Sequence, residues 1–219
     1  MRRLRRIAGR IKGYGISHIR QGTYFLAYHN LLPHSWSGRL ISNFWDEQAP
    51  GIHARWGKGT DDYAALRSVI ARYQCQSVLD AGCGSGRLFP LYRQCGMKSI
   101  TGIDLSATAL ALARQTDPDV QLAQMSIEEL DYPPASFDIG VCNRVLQHVP
   151  QTHIDATIRK LCVICRYVYI NELAASDQLD TTFWMNRHDY RRLFQQSGFT
   201  CLESDRIGRQ TYHLFGRAS

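Results

Sequence analysis

The sequence predicts an α/β chain: a seven-stranded, mostly parallel sheet with helices on both faces, closed by an antiparallel C-terminal hairpin and preceded by a basic helical arm. Three observations predict it. Short apolar runs alternate with segments of helical periodicity from Asp61 onward. Two of those runs end in unusual loops: Val78–Ala81 leads into Gly82-Cys83-Gly84-Ser85-Gly86, and Gly102-Ile103 leads into Asp104-Leu105-Ser106. The last two runs, 199–206 and 210–216, are separated only by a turn around Gly208, which leaves no room for a crossover helix.

The arm comes first. Leu4, Ile7, Ala8 and Ile11 fall at helical spacing with arginines on the other faces, and Gly13 and Gly15 end the pattern. Tyr24–Tyr28, Leu31, Leu32 and Trp36 then form an aromatic and aliphatic stretch. Three readings of the arm stay open: an interfacial anchor, a lid with a solvated basic face, and an organelle-targeting peptide. The expected units are an arm over 1–55 and a catalytic body over 56–219.

Within the body, Asp61 or Asp62 is expected to cap a helix burying Leu66, Val69, Ile70 and Tyr73. Strand 77–81 is short and apolar enough to be covered on both faces. A helix over 86–95 stops at Gly96, strand 99–103 follows, and Ser106 caps the alanine-rich helix 107–115. Strand 120–125, strand 137–143 after Pro133-Pro134, a helix near 151–161 and strand 167–172 come next. A helix over 188–197 ends at Gly198, and the hairpin closes the chain.

The net charge of +7 is concentrated in the arm. Residues 1–45 hold eight basic side chains and no acidic one, which leaves 18 basic against 19 acidic over 46–219. A near-neutral body argues against a phosphate-tracking surface there, so nucleic acid is not the expected partner. The arm instead suits contact with an anionic membrane surface through residues 1–36. The seven cysteines are odd in number and sit in apolar runs, and Cys162-Val163-Ile164-Cys165 lacks a second ligand pair. Reduced thiols in a cytoplasmic protein, peripheral at a membrane if the arm is an anchor, are expected.

The glycine loop carries the chemistry. A pyrophosphate loop spaces its glycines G-x-G-x-x-G and keeps carboxylates away. Here the third glycine comes one residue early and Asp80 stands directly before them. That charge repels a pyrophosphate and suits a ligand with a cationic amino-acid end, such as S-adenosylmethionine with its ammonium and sulfonium groups. Asp104, one strand over, suits the two hydroxyls of a ribose. A nicotinamide dehydrogenase is disfavoured on the same grounds.

With these motifs in place, the chain from about Trp56 onward resembles the class I S-adenosylmethionine-dependent methyltransferases, and looks most like their small type 11/12 group, which modifies small molecules, lipids and sugars. The resemblance implies a Rossmann-like fold. It implies that Asp80, Ala81, Gly82, Cys83, Gly84 and Gly86 bind the methionine end, that Asp104 holds the ribose and that Leu105 flanks the adenine. The main chain near Asn143 would close over the methionine moiety. At the end of the third strand, where the family usually places an acidic residue for the adenine amino group, this chain has Ser126 and Ile127, with Glu128 beyond. Relatives that methylate quinones carry Glu-Val-Leu-Glu-His-Val after the fourth strand. Here Arg144-Val145-Leu146-Gln147-His148-Val149 replaces both carboxylates, so no metal is expected.

A hydroxyl acceptor needs a proton acceptor. His148 is the first candidate, with a buttress for the turn before Pro150 as the alternative, and Glu172 is the second. Trp184, Asn186, His188 and Tyr190 are candidates for the acceptor pocket, and His188 or Asp189 for a helix cap. Lys58, in the glycine-rich stretch Trp56–Thr60, could meet an acidic acceptor group or stay solvated. The expectation is methyl transfer from S-adenosylmethionine to a small-molecule, lipid or glycan acceptor, at oxygen. The alternatives are an RNA methyltransferase and a silent cofactor-binding partner subunit.

Overall fold

The computed structural model describes residues 18–28, 32, 34–56, 63–173 and 185–217. Leu4–Gly15 of the arm, the stretch Gly57–Asp62 with Lys58, and Trp184 lie outside the described residues.

Five strands run parallel: β1 (Ser77–Ala81), β2 (Ser99–Asp104), β3 (Gln121–Gln124), β4 (Phe137–Asn143) and β5 (Cys165–Leu173). β6 (Phe199–Ile207) and β7 (Gln210–Arg217) form the antiparallel hairpin, and β7 pairs with β5. The order across the sheet is β3-β2-β1-β4-β5-β7-β6. The chain therefore builds outward from β1 in one direction, then returns and builds outward from β4 in the other. That reversal opens a crevice at the C-terminal ends of β1 and β4, the usual ligand position in such sheets.

Both faces of the sheet are covered. Val78 belongs to a core with Leu66, Ile70, Phe89, Tyr92, Ile100 and Ile139, while its neighbour Leu79 belongs to another with Leu146, Ile158, Leu161, Phe194 and Phe215. Successive residues of one strand thus feed opposite cores, as the pleat requires. Phe194 and Phe215 stack at 4.0 Å between ring centres.

Seven helices surround the sheet among the described residues: α1 (His18–Tyr28), α2 (His34–Trp56), α3 (Ala64–Arg72), α4 (Phe89–Gln94), α5 (Ala107–Thr116), α6 (Ile154–Ile164) and α7 (Tyr190–Gln196). None is long and apolar enough to cross a membrane. Ser106 caps α5, its hydroxyl accepting from Ala109 N at 3.0 Å.

Several boundaries differ from the sequence expectation. α4 begins at Phe89 because Gly86, at φ +77°, still belongs to the loop. α6 begins at Ile154, since the Pro150 carbonyl closes a turn on His153 N and Ile154 N. The N-cap of α3 is Tyr63, without a side-chain bond. Asp189 caps α7 through Arg192 N. Cys162 and Cys165 span the junction of α6 and β5, buried and free, as are the other cysteines free.

Candidate functional site

The glycine loop is fastened to the end of β2. Gly82 N and Cys83 N both donate to Ile103 O, at 2.8 and 2.9 Å. Gly84 N donates to Asp104 Oδ2 at 2.9 Å, and Ser106 N donates to Asp104 Oδ1 at 2.9 Å. Each Asp104 oxygen keeps further acceptor capacity, enough for a vicinal diol. Burial pushes the Asp104 carboxyl upward, against the pull of the Ser106 and Gly84 N–H groups, and Asp46 pushes it further.

The glycines do different work. A Cβ on Gly82 would lie 2.4 Å from Val145 Cγ2, so this glycine admits the turn after β4. Gly84, at φ +56°, has nothing within 4 Å of where its Cβ would stand. The loop is left-handed there and its backbone borders open space, which fits a ligand cradle. Gly86 N closes a turn on Cys83 O at 3.0 Å. Ala81 and the Cys83 thiol are buried beneath the loop, and burial raises the thiol well above its ordinary value.

Asp80 is 2 % exposed, and its Oδ2 has no hydrogen-bond partner among the described residues. Burial pushes its carboxyl up to about 7; the Tyr92 hydroxyl pulls it down, Asp104 pushes it up and Arg87 pulls it down. A buried carboxyl group with one oxygen left without a partner among the described residues, beside a second carboxyl, favours a cation.

α2 covers this end of the sheet; the sequence reading gave a helical arm or lid over 1–55 but placed no helix at 34–56. Ser42 Oγ donates to Leu105 O at 2.9 Å, and Gln124 Nε2 donates to the same carbonyl at 3.1 Å. Asp46 Oδ1 accepts from Ser106 Oγ at 2.6 Å and from Thr108 N at 3.0 Å. Burial alone would raise Asp46, but those bonds outweigh it and hold the carboxyl below its usual value. Phe44 packs edge-on between Tyr24 and Tyr28 of α1, and Trp45 meets the His148 ring at 4.8 Å between centres. The signal was available: Leu40, Ile41, Phe44 and Trp45 recur at helical spacing, but Pro50 and Gly51 mask the helix that contains them.

Ser126 has a local job. Its hydroxyl accepts from Glu128 N at 3.1 Å and its own N–H donates to Glu129 Oε2 at 3.0 Å, a capping box on the 3₁₀ turn Ile127–Glu129. The Ile127 side chain is buried in the core. Glu128 is drawn away toward α6, with Oε2 2.9 Å from His153 Nδ1 and its carbonyl accepting from Lys160 Nζ at 2.6 Å.

At the end of β4, Asn143 Nδ2 donates to the Tyr63 hydroxyl at 3.3 Å, and the Arg87 guanidinium lies over the Tyr63 ring. His148 Nε2 lies 3.2 Å from Gln147 Nε2. Glu172 is buried, accepting from Val145 N and Leu146 N. His188 faces Val149 O through Nε2 and Gln151 Oε1 through Nδ1, both at 3.0 Å, and Asn186 N donates to Gln147 O at 2.6 Å. The segment before α7 is thereby pinned to the turn that carries His148. Among the described residues no group of three or more His, Cys, Asp or Glu side chains is arranged to hold a metal ion.

A glycine loop tied to β2, a carboxylate at that strand's end and a crevice at the β1/β4 reversal coincide with residues 78–167, which match the family model of a methyltransferase domain. Over these residues the chain is similar to a methyltransferase domain. The chain is 39% identical over 87 residues to a ubiquinone biosynthesis O-methyltransferase of Paracidovorax citrulli (strain AAC00-1), covering 37% of this chain and 36% of that protein. It is 43% identical over 82 residues to the enzyme of that name from Albidiferax ferrireducens (strain ATCC BAA-621 / DSM 15236 / T118), covering 34% and 32%. The matches span about a third of the length of these curated relatives. In fold, the chain is similar to a Burkholderia thailandensis 1,6-didemethyltoxoflavin-N1-methyltransferase solved with 1,6-didemethyltoxoflavin and S-adenosylhomocysteine. The TM-score is 0.66 at 18% identity, covering 86% of this chain and 91% of that one. Ser42, Trp45, Asp46, Tyr63 and Gln147 are the residues at this candidate site to which sequence reasoning gave no role.

Proposed function

We propose that this chain transfers a methyl group from S-adenosylmethionine to a hydroxyl of a small-molecule, lipid or glycan acceptor. The observation that carries the reading is the carboxyl pair at the strand ends, buried Asp80 and half-buried Asp104, the latter accepting from Gly84 N at the point where the loop borders open space. S-adenosylmethionine supplies an activated methyl carbon on a sulfonium, open to in-line displacement. Asp80 and the loop residues Ala81, Gly82, Cys83, Gly84 and Gly86 would hold its cationic amino-acid end. Asp104 would hold the ribose hydroxyls, and Leu105, Ser126 and Ile127 the adenine side, with Asn143 closing the methionine side. The oxygen acceptor is supported by the names of the curated relatives.

His148 is the proposed general base. It takes the hydroxyl proton at Nε2, the ring atom that Gln147 faces in the free chain. Such a base is worth roughly 10²–10⁴ in rate, while alignment by the loop and by α2 is worth about 7–11 kcal/mol. The division into an arm over 1–55 and a body over 56–219 is part of the same reading. So is contact of the arm's arginines with an anionic membrane surface, which co-sedimentation with anionic vesicles tests.

Saturating S-adenosylhomocysteine at about 100 times its dissociation constant should add about 2.7 kcal/mol of stability and raise the melting temperature by about 5–10 °C. No shift, or a shift with NADH in its place, overturns the reading.

A further inference from the structure

The end of β5 holds the turn after β4 residue by residue. Asn171 Nδ2 donates to Asn143 Oδ1 at 3.0 Å, and Arg144 N donates to Asn171 O at 2.7 Å. Val145 N and Leu146 N both donate to Glu172 Oε1, at 3.0 and 2.8 Å. Leu173 N donates to Gln147 Oε1 at 3.5 Å. Residues 171–173 thus grip residues 143–147 in order.

The turn needs that grip. Arg144 stands at φ +63°, a conformation that costs a side-chain-bearing residue about 1–2 kcal/mol. Leu146–His148 is a single 3₁₀ turn, too short to persist unaided. Glu172 is 3 % exposed, so its charge is expensive there, yet without it two consecutive backbone N–H groups would lose their acceptor. Its Oε2 has no partner among the described residues. Held this way, Glu172 is poorly placed to take a proton from an acceptor in the crevice.

The grip reaches His148 through Gln147, itself buried. Leu173 N–H can face only the oxygen of the Gln147 carboxamide, which turns the NH₂ group toward His148 Nε2. A carboxamide nitrogen only donates, so Nε2 carries a lone pair and the ring proton sits on Nδ1. The geometry points to Glu172 as a positioning residue: it fixes the Arg144–His148 turn so that Gln147 holds His148 with Nε2 unprotonated. This rests on His148 being the base.

The test is the imidazole ¹⁵N spectrum of the full chain with S-adenosylhomocysteine bound, with His148→Gln used to assign the signals. Wild type and Glu172→Gln, which keeps Oε1 as an acceptor, should both show an unprotonated Nε2. Glu172→Ala should shift toward the Nε2-protonated form that free imidazole favours. An unchanged spectrum in Glu172→Ala, or the same change in Glu172→Gln, overturns the proposal. If Glu172→Ala does not fold, Gln147→Leu carries the test: it should lose the tautomer, and an unchanged spectrum overturns the proposal. Methyl transfer that survives His148→Gln would sink the base assignment while leaving the tautomer result standing, so the two failures are distinguishable.

Discussion

Asp46, on the helix that crosses the C-terminal edge of the sheet, accepts a 2.6 Å hydrogen bond from the hydroxyl of Ser106. That hydroxyl oxygen also caps α5 through Ala109 N, and Ser106 N donates to Asp104. One serine therefore joins the covering helix, the helix after β2 and the carboxylate proposed to grip the donor's ribose. Asp46→Ala removes the acceptor of Ser106 Oγ and Thr108 N. Half-exposed hydrogen bonds to a carboxylate of this kind are worth about 1–2 kcal/mol. The expected melting temperature is about 2–8 °C lower, with weaker S-adenosylhomocysteine binding. Calorimetry in both states checks it; unchanged values would mean that Phe44 and Trp45 packing alone seats the helix.

Asp80 sets a pH dependence. Its folded value of about 7 lies above the ordinary carboxyl value of 3.8. The group therefore favours the folded state fully only at low pH, and this contribution is lost as pH climbs from about 4 through about 7. Asp80→Asn should flatten that part of a stability-against-pH curve. In wild type, S-adenosylmethionine affinity should rise as pH passes through 7, because the ionised carboxylate attracts the cation. An affinity in wild type that falls over that range would contradict the proposed partner.

Gly82 and Gly84 should respond differently to alanine. Gly82→Ala sets a methyl 2.4 Å from Val145 Cγ2 at φ +79°, and the expected outcome is a loss of several kcal/mol or no folded protein. Gly84→Ala meets nothing, so its cost is the left-handed backbone, about 1–2 kcal/mol. The added methyl points into the space assigned to the donor. Folded Gly84→Ala with S-adenosylhomocysteine affinity reduced about tenfold or more is expected; unchanged affinity would place the ligand elsewhere.

Ser126→Ala should act on the local turn. Losing the capping box costs about 0.5–2 kcal/mol. Denaturant unfolding should register that loss, while S-adenosylhomocysteine binding persists at reduced strength. Complete loss of binding would make the hydroxyl a principal adenine contact.

The sheet was legible because its strands are bounded by residues with one physical role. Gly102-Ile103-Asp104 had to end a strand, and Ser106 three positions before Ala109 had to cap a helix. The loop residues proposed to hold the donor are contiguous in the chain, so their grouping at one strand end could be read without the structure. The covering helix was not, because Pro50 interrupts its pattern and because Asp46 finds Ser106 sixty residues away. The grip of Glu172 on the turn after β4 was hidden too. Nothing in Asn171-Glu172 tells a proton acceptor from an anchor until Val145 and Leu146 are seen to donate to it.

The most direct measurement is the S-adenosylhomocysteine affinity of Asp104→Ala against wild type, by titration calorimetry, with the variant's fold verified by circular dichroism. Two hydrogen bonds to a half-buried carboxylate, at about 1.5–3 kcal/mol each, correspond to an affinity lower by about 10² or more. An affinity equal to that of wild type in a folded Asp104→Ala protein would contradict the account.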